Sequence, residues 1–181
     1  MRCFFAISLP RPILDYLAGL SYEWQAQNQD IQLKWVEKEN LHLTLQFLGD
    51  VELNRINEIN KALREKIHFT PFVLSLGGLG VFPNLRTPHL LKCGLIDQQK
   101  ELIHIHKQIS RVVMDSDIAI DDKPFSSHIT LGRMKFCPNG VKINNLTVEK
   151  LNFTVNVFQL GESTLTPEGP IYNTLYQYVA T

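Results

Sequence analysis

The sequence predicts an α+β fold, and three observations carry that prediction. Strand-like and helix-like stretches interleave along the chain. Two pairs of strand-like stretches, near residues 72–95 and 151–179, follow each other closely enough to be hairpins, which join antiparallel neighbours. The third is the stretch 41–47, where Leu41, Leu43, Leu45 and Phe47 occupy one parity and His42, Thr44 and Gln46 the other. A strand shows successive side chains to opposite faces, so this stretch packs on one face and presents polar groups on the other.

The elements follow in order. Residues 3–9 form a first strand. Its basic-then-apolar start imitates a signal peptide, but the apolar run ends at Pro10-Arg11-Pro12 with no small-residue cleavage site behind it, so a core strand is the better account. Pro12 suits the first turn of a helix over residues 12–27, with Ile13, Leu14, Leu17 and Leu20 along one side. Lys34-Trp35-Val36 then leads through a polar turn into the strand that begins near His42 and stops at Gly49-Asp50. Ile56, Ile59, Leu63 and Ile67 recur at helical spacing over residues 53–67. After Pro71, residues 72–76 read as a strand, Gly77-Gly78 as a bend or bulge, and residues 88–95 as another strand. A helix over residues 98–114 carries Leu102, Ile105, Ile109, Val112 and Val113, and an acidic loop from Asp115 to Asp122 runs through Pro124-Phe125 into a second polar-faced strand. Residues 148–160 and 175–179 are closing strands, with Pro167-Glu168-Gly169-Pro170 as the turn between them.

Length and composition narrow the class. A chain of 181 residues suffices for a single domain, 1–181, of two lobes. With 44% hydrophobic and 20% charged residues, and no apolar run near the roughly 18 residues of a membrane span, a water-soluble cytoplasmic protein without membrane attachment is expected. Cys3, Cys93 and Cys137 are odd in number and lack metal-ligand spacing, as buried thiols of a reducing compartment would be. The 18 basic and 18 acidic residues cancel, which argues against holding long duplexes by phosphate neutralisation; a nucleic-acid partner would be a terminus or a small fragment.

The chemistry lies in a repeated pattern: His42-Leu43-Thr44-Leu45 and His128-Ile129-Thr130-Leu131. In an extended strand each His and its Thr share a face, so two imidazoles and two hydroxyls can line one groove. Two histidines with ordinary pKa near ~6.5 can divide a proton transfer at neutral pH, one as acid and one as base. That suits in-line attack at phosphorus without a metal. Five positions after each His stands a planar side chain, Phe47 in the first copy and Arg133 in the second. Arg133 should point away from His128 in a regular strand, and a bulge or the strand end would turn it inward.

Other candidates carry less. His104 and His106, two apart on a helix, diverge by about 200° and make a poor metal pair, while His68 and His89 are isolated. Gly77-Gly78-Leu79-Gly80 lacks the Lys-Ser/Thr of a phosphate loop, and no serine elbow is present. Lys34 and Lys38, just before the first motif, read as solvated loop charge, with attraction of an anionic end as the alternative.

On these residues the chain resembles the 2H phosphoesterase superfamily, specifically the bacterial RNA 2',3'-cyclic phosphodiesterases, also called 2'-5' RNA ligases. The likeness extends from Arg2-Cys3-Phe4-Phe5-Ala6-Ile7 through Trp35-Val36, Asn40 to Gly49, Gly80-Val81-Phe82-Pro83 and Ser127 to Arg133, to the tail from Glu162 to Tyr172. The resemblance implies two lobes, each an antiparallel sheet, related by a pseudo-two-fold axis with helices outside and a central cleft. It implies metal-free and cofactor-free hydrolysis of an RNA 2',3'-cyclic phosphate to a 2'-phosphate, with 2'-5' ligation as the same displacement by another nucleophile. His42 would be the proton donor to O3', His128 the proton acceptor that activates water, and Thr44 and Thr130 the phosphate ligands; spacing alone does not choose between the histidines. Apart from the resemblance, the planar side chains of Phe47 and Arg133 suit flanking a nucleobase, by stacking and by cation–π contact; Phe47 as plain core and Arg133 as a surface fork is the alternative. The expected partner is an RNA end with a 2',3'-cyclic phosphate, on a tRNA fragment or short oligonucleotide, bound by a monomer. Many members have Pro before the second His, where this chain has Ser127. A module that binds nucleotide or terminal phosphate without turnover is the alternative.

Overall fold

Strand β1, Arg2–Ser8, is buried from Cys3 to Ile7 because it has a neighbour on each side. The computed structural model describes residues 1–120, 124–137, 141, 146–167 and 169–181; Asp121 and Asp122 of the expected acidic loop and Glu168 of the closing turn lie outside them. Along the described residues β1 is followed by α1 (Arg11–Gln27), β2 (Gln32–Trp35), β3 (His42–Asp50), α2 (Leu53–Lys66), β4 (Phe72–Phe82) and β5 (Leu90–Ile96). Then come α3 (Glu101–Asp115), β6 (His128–Phe136), β7 (Asn152–Val155), β8 (Val157–Leu165) and β9 (Pro170–Val179). The α+β class holds, and every strand pair is antiparallel.

The strands form one hydrogen-bonded sheet in the order β7-β4-β5-β6-β3-β1-β8-β9, with β2 also on β6. Its centre is narrow: β3 meets β6 at the single pair Leu43 and Ile129. The order is alike on either side of this bridge. β3 pairs with β1, reached through α1, and β6 pairs with β5, reached through α3. The two sheets expected of the two lobes are thus two halves joined at one point, with the histidine strands at their inner edges.

The helices bury apolar stripes. Ile13, Leu17, Leu20 and Trp24 of α1, Ile56, Ile59 and Leu63 of α2, and Leu102, Ile105, Ile109, Val112 and Val113 of α3 share one core with Leu43, Leu45, Ile129 and Leu131. At roughly 1.5 to 3 kcal/mol for each large aliphatic side chain removed from water, this layer fixes which face of β3 and β6 stays open. Gly77-Gly78 is the bulge expected, since the β4–β5 register shifts between Leu76 and Leu79.

Three expectations need correction. Lys34 and Trp35 belong to a strand, β2, rather than a lead-in to a turn. Residues 148–160 are not one strand: residues 148–151 lie outside any strand, and the chain breaks at Asn156 between β7, which pairs with β4, and β8, which pairs with β1. One apolar run serves both halves, so its pattern looks continuous while its partners change. The parity of the first His strand also changes midway: Gln46 is buried and Phe47 is 56% exposed.

Candidate active site

The two histidines are held in the same way. His42 Nδ1 lies 2.7 Å from the carbonyl oxygen of Asn40, and His128 Nδ1 lies 2.7 Å from that of Ser126. A carbonyl only accepts, so each Nδ1 carries the proton and each Nε2 is left for chemistry. His42 Nε2 is 3.1 Å from Thr44 Oγ1, across the face they share. Carried one residue either way from the Leu43–Ile129 bridge, the antiparallel register sets His42 opposite Thr130 and Thr44 opposite His128. The imidazoles therefore stand on a diagonal, which in a regular sheet measures about 7 to 8 Å, with a hydroxyl facing each.

Burial pushes His42 below the ordinary histidine range, opposed by its bond to Asn40. Burial also lowers His128, against its bond to Ser126, and the positive charges of Lys92 and Arg133 lower it further. The halves therefore differ electrostatically. His42 stands among aromatic rings, with Phe4 at 5.2 Å and Tyr172 at 5.2 Å between centroids. Asn40, whose carbonyl anchors His42, donates through Nδ2 to Pro170, so the β8–β9 hairpin holds this histidine through ring and backbone together.

Phe47 and Arg133 both reach the open face through bulges. Against β1, Phe5 pairs with Gln46 but Ala6 with Thr44, so Leu45 is an extra residue. Against β5, Leu91 pairs with Gly132 but Lys92 with Thr130, so Leu131 is extra. An extra residue reverses the parity beyond it. Phe47 then lies 6.2 Å from Phe4 on the side of His42, and Arg133 is exposed on the side of His128. The first bulge is pinned by α3: His106 Nδ1 donates to the Leu45 carbonyl at 2.9 Å and Ser110 Oγ to Gln46 Oε1 at 3.2 Å.

The remaining candidates separate cleanly. His106 is half-buried and stacked on Phe125, His68, His89 and His104 are exposed, Lys38 pairs with Asp15, and Lys34 lies opposite Arg133. Cys3 and Cys93 are buried and Cys137 is half-buried. The sequence pattern does not mark Phe4, Tyr172 or Lys92 as site residues. For Lys92 a signal existed: it is a lysine flanked by Leu91 and Cys93, both buried, in an inner strand. No described helix is long and apolar enough to cross a membrane.

A family model described as LigT like Phosphoesterase matches residues 7–91, a stretch that includes β3. An RNA 2',3'-cyclic phosphodiesterase of Methanocaldococcus jannaschii is 32% identical over 98% of this chain and 100% of its own. An enzyme of the same name from Aquifex aeolicus is 36% identical over 80% of each chain. The crystal structure of a Thermus thermophilus protein superposes with a TM-score of 0.85 at 28% identity, covering 99% of this chain and 97% of that one. The chain belongs to the LigT-like family of 2H phosphoesterases.

Proposed function

We propose that the protein hydrolyses RNA 2',3'-cyclic phosphate ends to 2'-phosphate ends, without a metal, using His42 and His128 as acid and base. The observation that carries this reading is the matched anchoring of the imidazoles: each Nδ1 is committed to a carbonyl, so each Nε2 is a one-proton device aimed from its own half of the sheet. The relatives from M. jannaschii and A. aeolicus are both named for this activity.

The step balances with two protons. Water attacks phosphorus and gives a proton to His128 Nε2; the P–O3' bond breaks opposite, and O3' takes the proton of His42 Nε2. Thr44 and Thr130 donate hydroxyl hydrogen bonds to phosphate oxygens, which gain charge as the fifth bond forms. Two features support these roles for the histidines. Lys92 and Arg133 disfavour a proton on His128, as suits a base. His42 is lowered by burial, without a cation among the causes, and a bound phosphate anion returns its affinity for a proton. Phe47 and Arg133 bracket the nucleobase of a short oligonucleotide or tRNA fragment, and a 5'-hydroxyl in place of water gives the 2'-5' link.

The test is incubation with a short oligoribonucleotide ending in a 2',3'-cyclic phosphate, with EDTA present, followed by identification of the terminus. A 2'-phosphate that disappears with His42→Ala and His128→Ala supports the reading. A strict need for a divalent metal sinks the two-histidine scheme, and bound but unchanged RNA leaves a binding module.

A further inference from the structure

We propose that Lys92 is a further substrate-binding residue, whose ammonium group pairs with the terminal phosphate from the second half of the sheet and stabilises the charge that builds on its oxygens during attack. This rests on the reading of the site as a cyclic phosphodiesterase, and extends it beyond the two His-x-Thr strands.

Placement is the first argument. Lys92 of β5 is the Cα partner of Thr130, so the two side chains leave the sheet on the same face, that of His128. The lysine stem has room on its other side because its β4 partner is Gly80. A Cβ at Gly80 would stand 3.7 Å from Lys92 Cε and 3.8 Å from Cγ, so the stem lies over Gly80 on the β4 side, while its charge is still close enough to lower the proton affinity of His128. Charge is the second argument. Lys92 is half-buried, and among the described residues no carboxylate pairs with it. A phosphate placed between Thr130 and His128 would give this ammonium a counter-ion.

The likeness of the halves gives the third argument. The residue opposite Thr44 is Ala6, and the residue opposite Thr130 is Lys92. A methyl group in one half is answered by a cation in the other, just as Phe47 is answered by Arg133. The first half offers Phe4, Phe47 and Tyr172 and the second offers Lys92 and Arg133, so a nucleotide has one favoured orientation in a site whose motifs are nearly symmetric. The charged groups around His128 are Lys92 of β5, Arg133 of its own strand and Lys34 of β2 beside Arg133, and the titratable group facing it across the bridge is His42 of β3.

The experiment compares wild type, Lys92→Met, Lys92→Gln and Lys92→Arg, with 2',3'-cyclic AMP as substrate and inorganic phosphate as inhibitor. Both neutral variants should lose about 10- to 100-fold in kcat/KM and weaken phosphate inhibition by about tenfold, as for the loss of one charged contact, while Arg restores most of both. The acid limb of the kcat/KM profile should move to higher pH in the neutral variants, because His128 then takes a proton more readily; a role confined to packing leaves that limb in place. Unchanged kcat/KM, phosphate inhibition and acid limb in both neutral variants of an active wild type overturn the proposal for Lys92 alone. A wild type that leaves every cyclic phosphate unopened overturns the phosphodiesterase reading itself.

Discussion

Phe47 and Arg133 are turned onto the faces of their own histidines by the same backbone device, an extra residue two positions earlier in each strand. The pair then stands at equivalent places in the two halves, one ring and one guanidinium. If they bracket a base, Phe47→Ala should raise KM for a dinucleotide by about 5- to 100-fold with a smaller change in kcat, the range expected for one lost stacking contact. Arg133→Ala should do the same and also raise the pKa of His128, because its charge is among the causes that lower it. Steady-state kinetics decide: KM and kcat unchanged in both variants removes the bracket.

His42→Ala and His128→Ala should each lower kcat by about 10² to 10⁴, as for loss of a general acid or base. Both rings are only partly buried, so thermal unfolding should change less than activity does. Single-turnover assays next to melting curves separate the effects, and either variant with full kcat would remove its histidine from the reaction.

Stability should fall as the solution is acidified below about pH 6.5, the ordinary histidine value. Burial lowers His42, His106 and His128 in the folded protein, so the unfolded chain binds protons that the folded one resists. The stability linked to these groups is fully present above the unfolded pKa and is lost as pH falls toward the folded values. Urea unfolding between pH 8 and pH 5 measures the slope. A His106→Gln variant should flatten it in part, and a flat wild-type profile would show that burial at these sites costs nothing.

Much of this architecture is legible in the chain because it depends on short-range pattern. The apolar stripes of α1, α2 and α3 mark themselves at helical spacing, and the shared face of His42 and Thr44 follows from two-residue periodicity. What escapes is set by partners distant in sequence. Nothing around Leu45 marks it as an extra residue, because its bulge is defined by β1 and held by His106 and Ser110 of α3. The break at Asn156 is hidden for the same reason, since β7 and the start of β8 alternate buried positions alike but belong to different halves. Tyr172 reaches His42 only through the β8–β9 hairpin, which no local signal near His42 announces.

Gly132 is where stability and the site meet. It follows the extra residue Leu131 and precedes Arg133, and β2 pairs alongside it, with Trp35 as its Cα partner. A Cβ there would stand 2.9 Å from Leu33 Cδ2, 3.2 Å from Trp35 Cε3 and 3.4 Å from the Lys34 carbonyl oxygen. Leu33 can shift, but Trp35 is held: its Nε1 donates to Gln25 Oε1 at 3.2 Å and its ring packs edge-on against Trp24. Gly132→Ala should therefore destabilise the fold by about 1 to 3 kcal/mol, as overpacking does, outweighing the few tenths to ~1 kcal/mol gained by restricting the unfolded chain. Since Lys34 of β2 lies opposite Arg133, displacement of β2 should also raise KM more than it lowers kcat. Gly78→Ala is the control, because a Cβ there meets nothing within 4 Å. Chemical denaturation of both variants gives the answer: Gly132→Ala as stable as Gly78→Ala would mean that β2 yields freely and does not fix the position of Arg133.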